Sequence, residues 1–209
     1  MKTELILIRH GETEWNSQNR LQGHKDSALS SEGLRQADAL ATRLATFRFH
    51  ALYSSDLGRA LETARRIAAR TGHTVVPDTR LRERGLGILE GLTREEASQR
   101  HPEVYESYSH EGADYVVPEG ESTGQRLAHA VACLQELGTR HRGERVVAVT
   151  HGGVLSLLFR HSLGIPIGTP RAFSVLNAGW NQFDIHDGKL RLVTWGDVTH
   201  LQATSRDDT

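Results

Sequence analysis

Two stretches of the 209-residue chain run an apolar segment into a histidine followed by glycine: Leu5-Ile6-Leu7-Ile8-Arg9-His10-Gly11 and Val146-Val147-Ala148-Val149-Thr150-His151-Gly152. An imidazole carries protons and attacks electrophiles near neutral pH, and the guanidinium beside His10 offers a planar fork of donors that matches a pair of phosphate oxygens. Arg59 follows a third short apolar run, Ala51-Leu52-Tyr53-Ser54. Two arginines and two imidazoles meeting in one crevice would hold a phosphoryl group and open it to attack.

Convergence of that kind needs strands that end together. Four apolar residues in a row are too few for a helix and read as a parallel strand covered on both faces, and in open α/β sheets ligands collect beyond the carboxyl ends of such strands. Gly11 is expected to let the chain turn sharply there. Ser30 is placed to cap a helix carrying Leu34, Ala37, Leu40, Ala41, Leu44 and Phe47 on one face, and Ser55 or Asp56 to cap a second with Ala60, Leu61, Ala64, Ile67 and Ala68. Arg59 then falls in that helix's first turn, where unpaired N–H groups and the positive dipole end favour an anion. Gly72 ends the helix, and a strand over 73–76 is stopped by Pro77.

Residues 92–121 make a long polar, partly helical excursion, of the kind that covers a site like a lid. Ser122 or Thr123 opens a helix through Leu127, Val131, Leu134 and Leu137, leading to the strand at 146–149 and a helix with Val154, Leu155, Leu157 and Leu158. Residues 172–176, 180–185 and 190–195 read as antiparallel strands, the last two joined by His186-Asp187-Gly188, and the last eight or so residues as frayed. The alternation predicts a three-layer α/β/α sandwich around a mostly parallel mixed sheet, one domain over residues 1–209.

Composition narrows the function. Hydrophobic residues at 37% and charged residues at 24% suit a globular protein, and 25 Lys plus Arg against 26 Asp plus Glu give a net charge of −1, with no bulk attraction to nucleic acid or to a membrane surface. No secretory signal stands out at the N-terminus, so a cytoplasmic setting is expected, and a homo-oligomer is left open. Cys133 reads as a small core residue. The twelve histidines show no metal-ligand spacing with Cys, Asp or Glu, so neither a metal nor a cofactor is expected. The glycines around 85–91 read as a turn rather than a dinucleotide loop, and Trp15, Trp180 and Trp195 as packing residues.

Arg9-His10-Gly11-Glu12-Thr13, followed by Trp15-Asn16, Gln22-Gly23 and Asp26, resembles the first signature of the histidine phosphatase superfamily, also called phosphoglycerate-mutase-like. Further matches follow in order: Tyr53 to Ala60, Leu81-Arg82-Glu83 with Glu90-Gly91, Gly120-Glu121-Ser122, and Val149-Thr150-His151-Gly152. The resemblance implies His10 as a nucleophile that becomes phosphohistidine, its other ring nitrogen tied to a backbone carbonyl. It implies Arg9, Arg59 and His151 around the phosphoryl oxygens, and Glu83 as proton donor to the leaving oxygen and then base toward water. It places Asn16, Gln22, Gly23 and the N–H of Gly152 on the substrate side. Glu83 also stands among Arg80, Arg82 and Arg84, which would suit an ion-pair role.

Gln22, where mutases of the family show Thr-Gly, and Arg84-Gly85-Leu86-Gly87, where they carry Arg-His-Tyr-Gly, resemble the phosphatase branch. The expectation is metal-independent hydrolysis of a small phosphorylated metabolite. The alternatives are mutase-type phosphoryl transfer between hydroxyls of phosphoglycerate, and a phosphate-binding regulatory protein without turnover.

Overall fold

The computed structural model describes residues 1–110 and 112–201. The segment expected to fray, 202–209, lies outside them. In chain order the elements are β1 (Thr3–Arg9), α1 (Glu14–Ser17), α2 (Ser31–Ala45), β2 (Ala51–Ser54), α3 (Gly58–Thr71), β3 (Val75–Pro77), α4 (Arg94–Arg100), α5 (Pro102–His110), α6 (Thr123–Arg140), β4 (Arg145–Thr150), α7 (Gly152–Leu163), β5 (Trp180–His186) and β6 (Lys189–Asp197).

The six strands form one sheet in the order β3-β2-β4-β1-β5-β6, with β1 to β4 mutually parallel and β5 and β6 antiparallel. Alternation along the strands sorts the core into two halves. Leu5, Leu7, Val146 and Ala148 pack with Leu134 and Leu137 of α6 and Leu155 and Leu158 of α7. Ile6, Ile8, Val147 and Val149 face the other way, onto Leu40 and Leu44 of α2 and Ala64 and Ile67 of α3. Both faces of the parallel strands are therefore covered, which is why these strands are continuously apolar, and the three-layer α/β/α expectation holds.

Local signals fixed most helix ends. Ser30 caps α2 by accepting from Gly33 N–H, Ser122 caps α6 in a capping box with Gln125, and Gly72 closes α3 in the left-handed region at φ 73°. Four expectations need correction. Phe47 lies past the end of α2; Pro77 sits inside the edge strand β3, where its missing N–H does no harm; residues 172–176 form a loop rather than a strand. The fourth concerns Gly11, whose backbone is not in the left-handed region. A Cβ there would sit 2.5 Å from the Gly33 carbonyl oxygen, so crowding against the first turn of α2 is what demands glycine.

The excursion over 92–121 contains α4 and α5 and packs on a small apolar cluster of its own, Leu86, Leu89, Ala97 and Val117, rather than on the main core. Among the described residues no helix is long and apolar enough to cross a membrane.

Candidate active site

Sheet register builds the centre of the site. β1 pairs with β4 so that Arg9 stands opposite Thr150, and the next residue on each strand is a histidine. The His10 N–H donates to the Thr150 carbonyl at 3.0 Å, and the two rings lie 5.1 Å apart, centroid to centroid. On the other side of β4, β2 places Ser54 opposite Val149, and the Oγ of the next residue, Ser55, lies 2.8 Å from His151 Nε2. Asn177 Nδ2 and the Ala178 N–H hold the His10 carbonyl from the opposite edge, and Arg9 donates to the Val175 carbonyl. The sequence alone marks Ser55 only as a candidate helix cap and gives Asn177 no role.

The tautomer of His10 follows from one contact. Nδ1 lies 2.7 Å from the Gly11 carbonyl oxygen, which can only accept, so the proton is on Nδ1 and the lone pair on Nε2. Burial, and then the positive charges of Arg59 and Arg9, hold the imidazole neutral well below its usual range. The same forces act on His151, burial first and then Arg59, and its buried Nδ1 has no protein partner.

Arg59 is buried at the start of α3 and donates to the carbonyls of Gly23 at 2.7 Å and Lys25 at 2.9 Å and to Asp26 Oδ1 at 2.9 Å. Asp26 also accepts from the Gly58 N–H at 2.6 Å. This corrects the expected cap: neither Ser55 nor Asp56 caps α3, whose N-cap is Leu57, and a carboxylate from a distant loop does so instead. That carboxylate occupies the N–H groups at the start of α3, so Arg59 presents an anion with its guanidinium rather than with the helix end.

Glu83 does not form the ion pair its neighbours suggested. Arg80 is engaged with Asp78 and Glu136, Arg82 with Asp56, and Arg84 with Thr123 Oγ1 and the carbonyls of Glu121 and Tyr115. The Glu83 carboxylate accepts from two backbone N–H groups at 2.8 Å each, those of Arg84 and Gly153. A Cβ on Gly153 would come within 2.3 Å of Glu83 Oε1, so glycine at this position lets the carboxylate rest on the first turn of α7. The donor to Glu83 is thus Gly153, whereas Gly152 lines the cleft beside Arg9.

A cleft of about 760 Å³ opens over this centre, lined by Arg9, His10, Arg59 and Glu83 and, on the substrate side, by Asn16, Gln22, Gly23 and Gly152. Of the residues the sequence singled out, all but His151 line this one cavity; His151 is fully buried against His10. Asn16 also closes a capping box with Thr13. Glu90 was not given a role, yet its carboxylate accepts from the N–H groups of His24, Lys25 and Leu86 and pins the loop that carries Gln22 and Gly23. Among the described residues no group of His, Cys, Asp or Glu stands together as a metal site.

A family profile described as histidine phosphatase superfamily (branch 1) matches residues 5–198. The chain belongs to this superfamily. It is 41% identical to phosphoglycerate mutase-like protein 4 of Arabidopsis thaliana, over 96% of this chain and 88% of that protein. It is 40% identical to a metal-independent phosphoserine phosphatase of the same plant, over 96% and 84%. A solved mycobacterial glucosyl-3-phosphoglycerate phosphatase with VO3 superposes with a TM-score of 0.81 at 32% identity, covering 92% of this chain and 98% of that one.

This histidine phosphatase should lose stability in mild acid, and the sign follows from its two buried imidazoles. Unfolded, each binds a proton near pH 6.5; folded, each stays neutral to well below that. Above pH 6.5 neither state is protonated and nothing is lost. As pH falls below it, each histidine withdraws up to about 1.4 kcal/mol of stability per pH unit until its folded-state value is reached. Urea unfolding between pH 8 and pH 5 measures this, and a free energy that stays level across that range would contradict it.

Proposed function

We propose that this chain hydrolyses phosphomonoesters of small metabolites through a phosphohistidine at His10, without a metal. The observation that carries the reading is the Nδ1 contact to the Gly11 carbonyl, which leaves an unprotonated Nε2 beside two guanidiniums. Nε2 attacks phosphorus, the ester P–O bond breaks, and Glu83 protonates the departing oxygen to give the free alcohol. Water then attacks the phosphohistidine, Glu83 takes its proton, the P–N bond breaks, and inorganic phosphate leaves.

Arg9, Arg59 and the Nδ1 of His151 balance the charge on the non-bridging oxygens through both steps. Glu83 can do its part without letting go of its backbone donors, because each carboxylate oxygen keeps a second lone pair. Asn16, Gln22, Gly23 and Gly152 contact the alcohol side of the substrate, and the excursion over 92–121 covers it.

The test is phosphate release from p-nitrophenyl phosphate and from 3-phosphoglycerate with a chelator present. Turnover that survives the chelator, yielding glycerate and phosphate, supports the reading. Turnover that vanishes with the chelator, or conversion of 3-phosphoglycerate to its 2-isomer without phosphate release, would overturn it.

A further inference from the structure

Glu83 is the only carboxylate among the described residues that line the cleft, and five further arginines do so beyond Arg9 and Arg59. Two of these are committed elsewhere: Arg20 pairs with Glu96, and Arg84 holds the chain near Glu121. Arg94 is exposed. Arg160 differs from all of them. It is 6% exposed, and among the described residues its side chain has no carboxylate partner and a single hydrogen bond, a long one of 3.3 Å to the Pro166 carbonyl. Its guanidinium lies 5.4 Å from the centre of the Phe173 ring, and that ring packs against Phe159 and Trp195.

A buried cation without a counter-charge is costly, and here a second cation adds to the cost. Arg171 lines the same wall, and burial together with the charge of Arg171 lowers the Arg160 pKa. The geometry points to a second anion subsite, in which Arg160 receives a carboxylate or a further phosphoryl group that the substrate carries well away from its scissile phosphate. This rests on the hydrolytic reading above and names the substrate class: phosphomonoesters with a remote acidic group.

Helix geometry sets the span. Gly152, Ser156 and Arg160 are successive i, i+4 positions of α7 and all line the cleft, so one helix stripe runs from the phosphate to the guanidinium. Eight residues cover about 12 Å of helix axis, less a few ångströms because helical side chains lean toward the N-terminus. In a three-carbon phospho-acid only a few bonds separate phosphorus from carboxylate, and it cannot reach both ends. A longer molecule can.

The experiment measures kcat/KM of the wild-type chain for a series of ω-phosphooxyalkanoates of increasing length, each against its methyl ester, with the matching alkanediol bisphosphates as a second arm. The acid-to-ester ratio should stay near one for short chains and rise by about 10- to 100-fold once the acid reaches Arg160, the effect of a charge-assisted hydrogen-bonded pair. Arg160→Gln should remove most of that rise. A preference for either terminal acid supports the subsite and identifies the group. A ratio that stays flat with length in the wild type overturns the inference whether or not the variant folds, while the ester series still reports hydrolysis. No hydrolysis of any probe would remove the hydrolytic reading and this subsite with it.

Discussion

Alanine in place of His10 should reduce kcat/KM on any phosphomonoester by on the order of 10⁵-fold, comparable to loss of the nucleophile in other covalent enzymes. His151, whose ring packs against that of His10, does not substitute, because it is tied to Ser55 through Nε2. The fold should survive. His10 lies beyond the last residue of β1, and the cavity it vacates opens into the cleft. Its one side-chain bond is to the Gly11 carbonyl, whose loss costs about 1–3 kcal/mol. Rapid acid or alkaline quenching with phosphorus-labelled substrate provides the second readout: wild type should carry an acid-labile, alkali-stable label and the variant none. A labelled His10→Ala chain, or one with turnover near wild type, would assign the nucleophile elsewhere. The variant should also lose stability less steeply below pH 6.5, since one buried neutral imidazole is gone.

Glu83→Gln should separate the two half-reactions. With an alkyl phosphate the leaving alkoxide needs a proton, and turnover should fall by about 10²- to 10⁴-fold. With p-nitrophenyl phosphate the leaving group departs unaided, so the first step should stay fast while hydrolysis of the phosphoenzyme, which lacks its base, becomes slow. Stopped-flow measurement should show a burst of one nitrophenolate per chain followed by slow release. Equal losses on both substrates with no burst would remove Glu83 from proton transfer. Glutamine has a single acceptor oxygen where the carboxylate served both Arg84 N–H and Gly153 N–H, so one of these is left facing an amide NH2. A thermal unfolding curve alongside shows what that mismatch costs.

The sheet and the reacting groups were legible in the sequence because they depend on short-range patterns. Leu5 to Ile8 and Val146 to Val149 are apolar for the reason a strand buried on both faces must be, and the histidines that follow fall outside the sheet by simple counting. Cys133 also behaves as read: it is buried, and desolvation with Asp78 nearby pushes its thiol up to about 12, far from reactivity.

What the sequence concealed were contacts between residues far apart in the chain. Asp26 caps a helix that starts at Gly58, and Glu90 fastens a loop at 24–25. Local composition suggested ion pairs for Glu83, but the neighbouring guanidiniums are drawn to Asp56, Asp78 and Glu136. The run at 172–176 has strand-like residue types yet forms no ladder; its Val175 carbonyl receives Arg9 instead.

The two histidines each follow the last rung of one parallel ladder, Arg9 opposite Thr150, whereas the excursion above them rests on a small cluster of its own. Reaction and recognition are thus mounted separately. The cover can lengthen, shorten or exchange residues without shifting the imidazoles by a fraction of a rung, so a lineage built on this scaffold is free to change its clientele while keeping one chemistry.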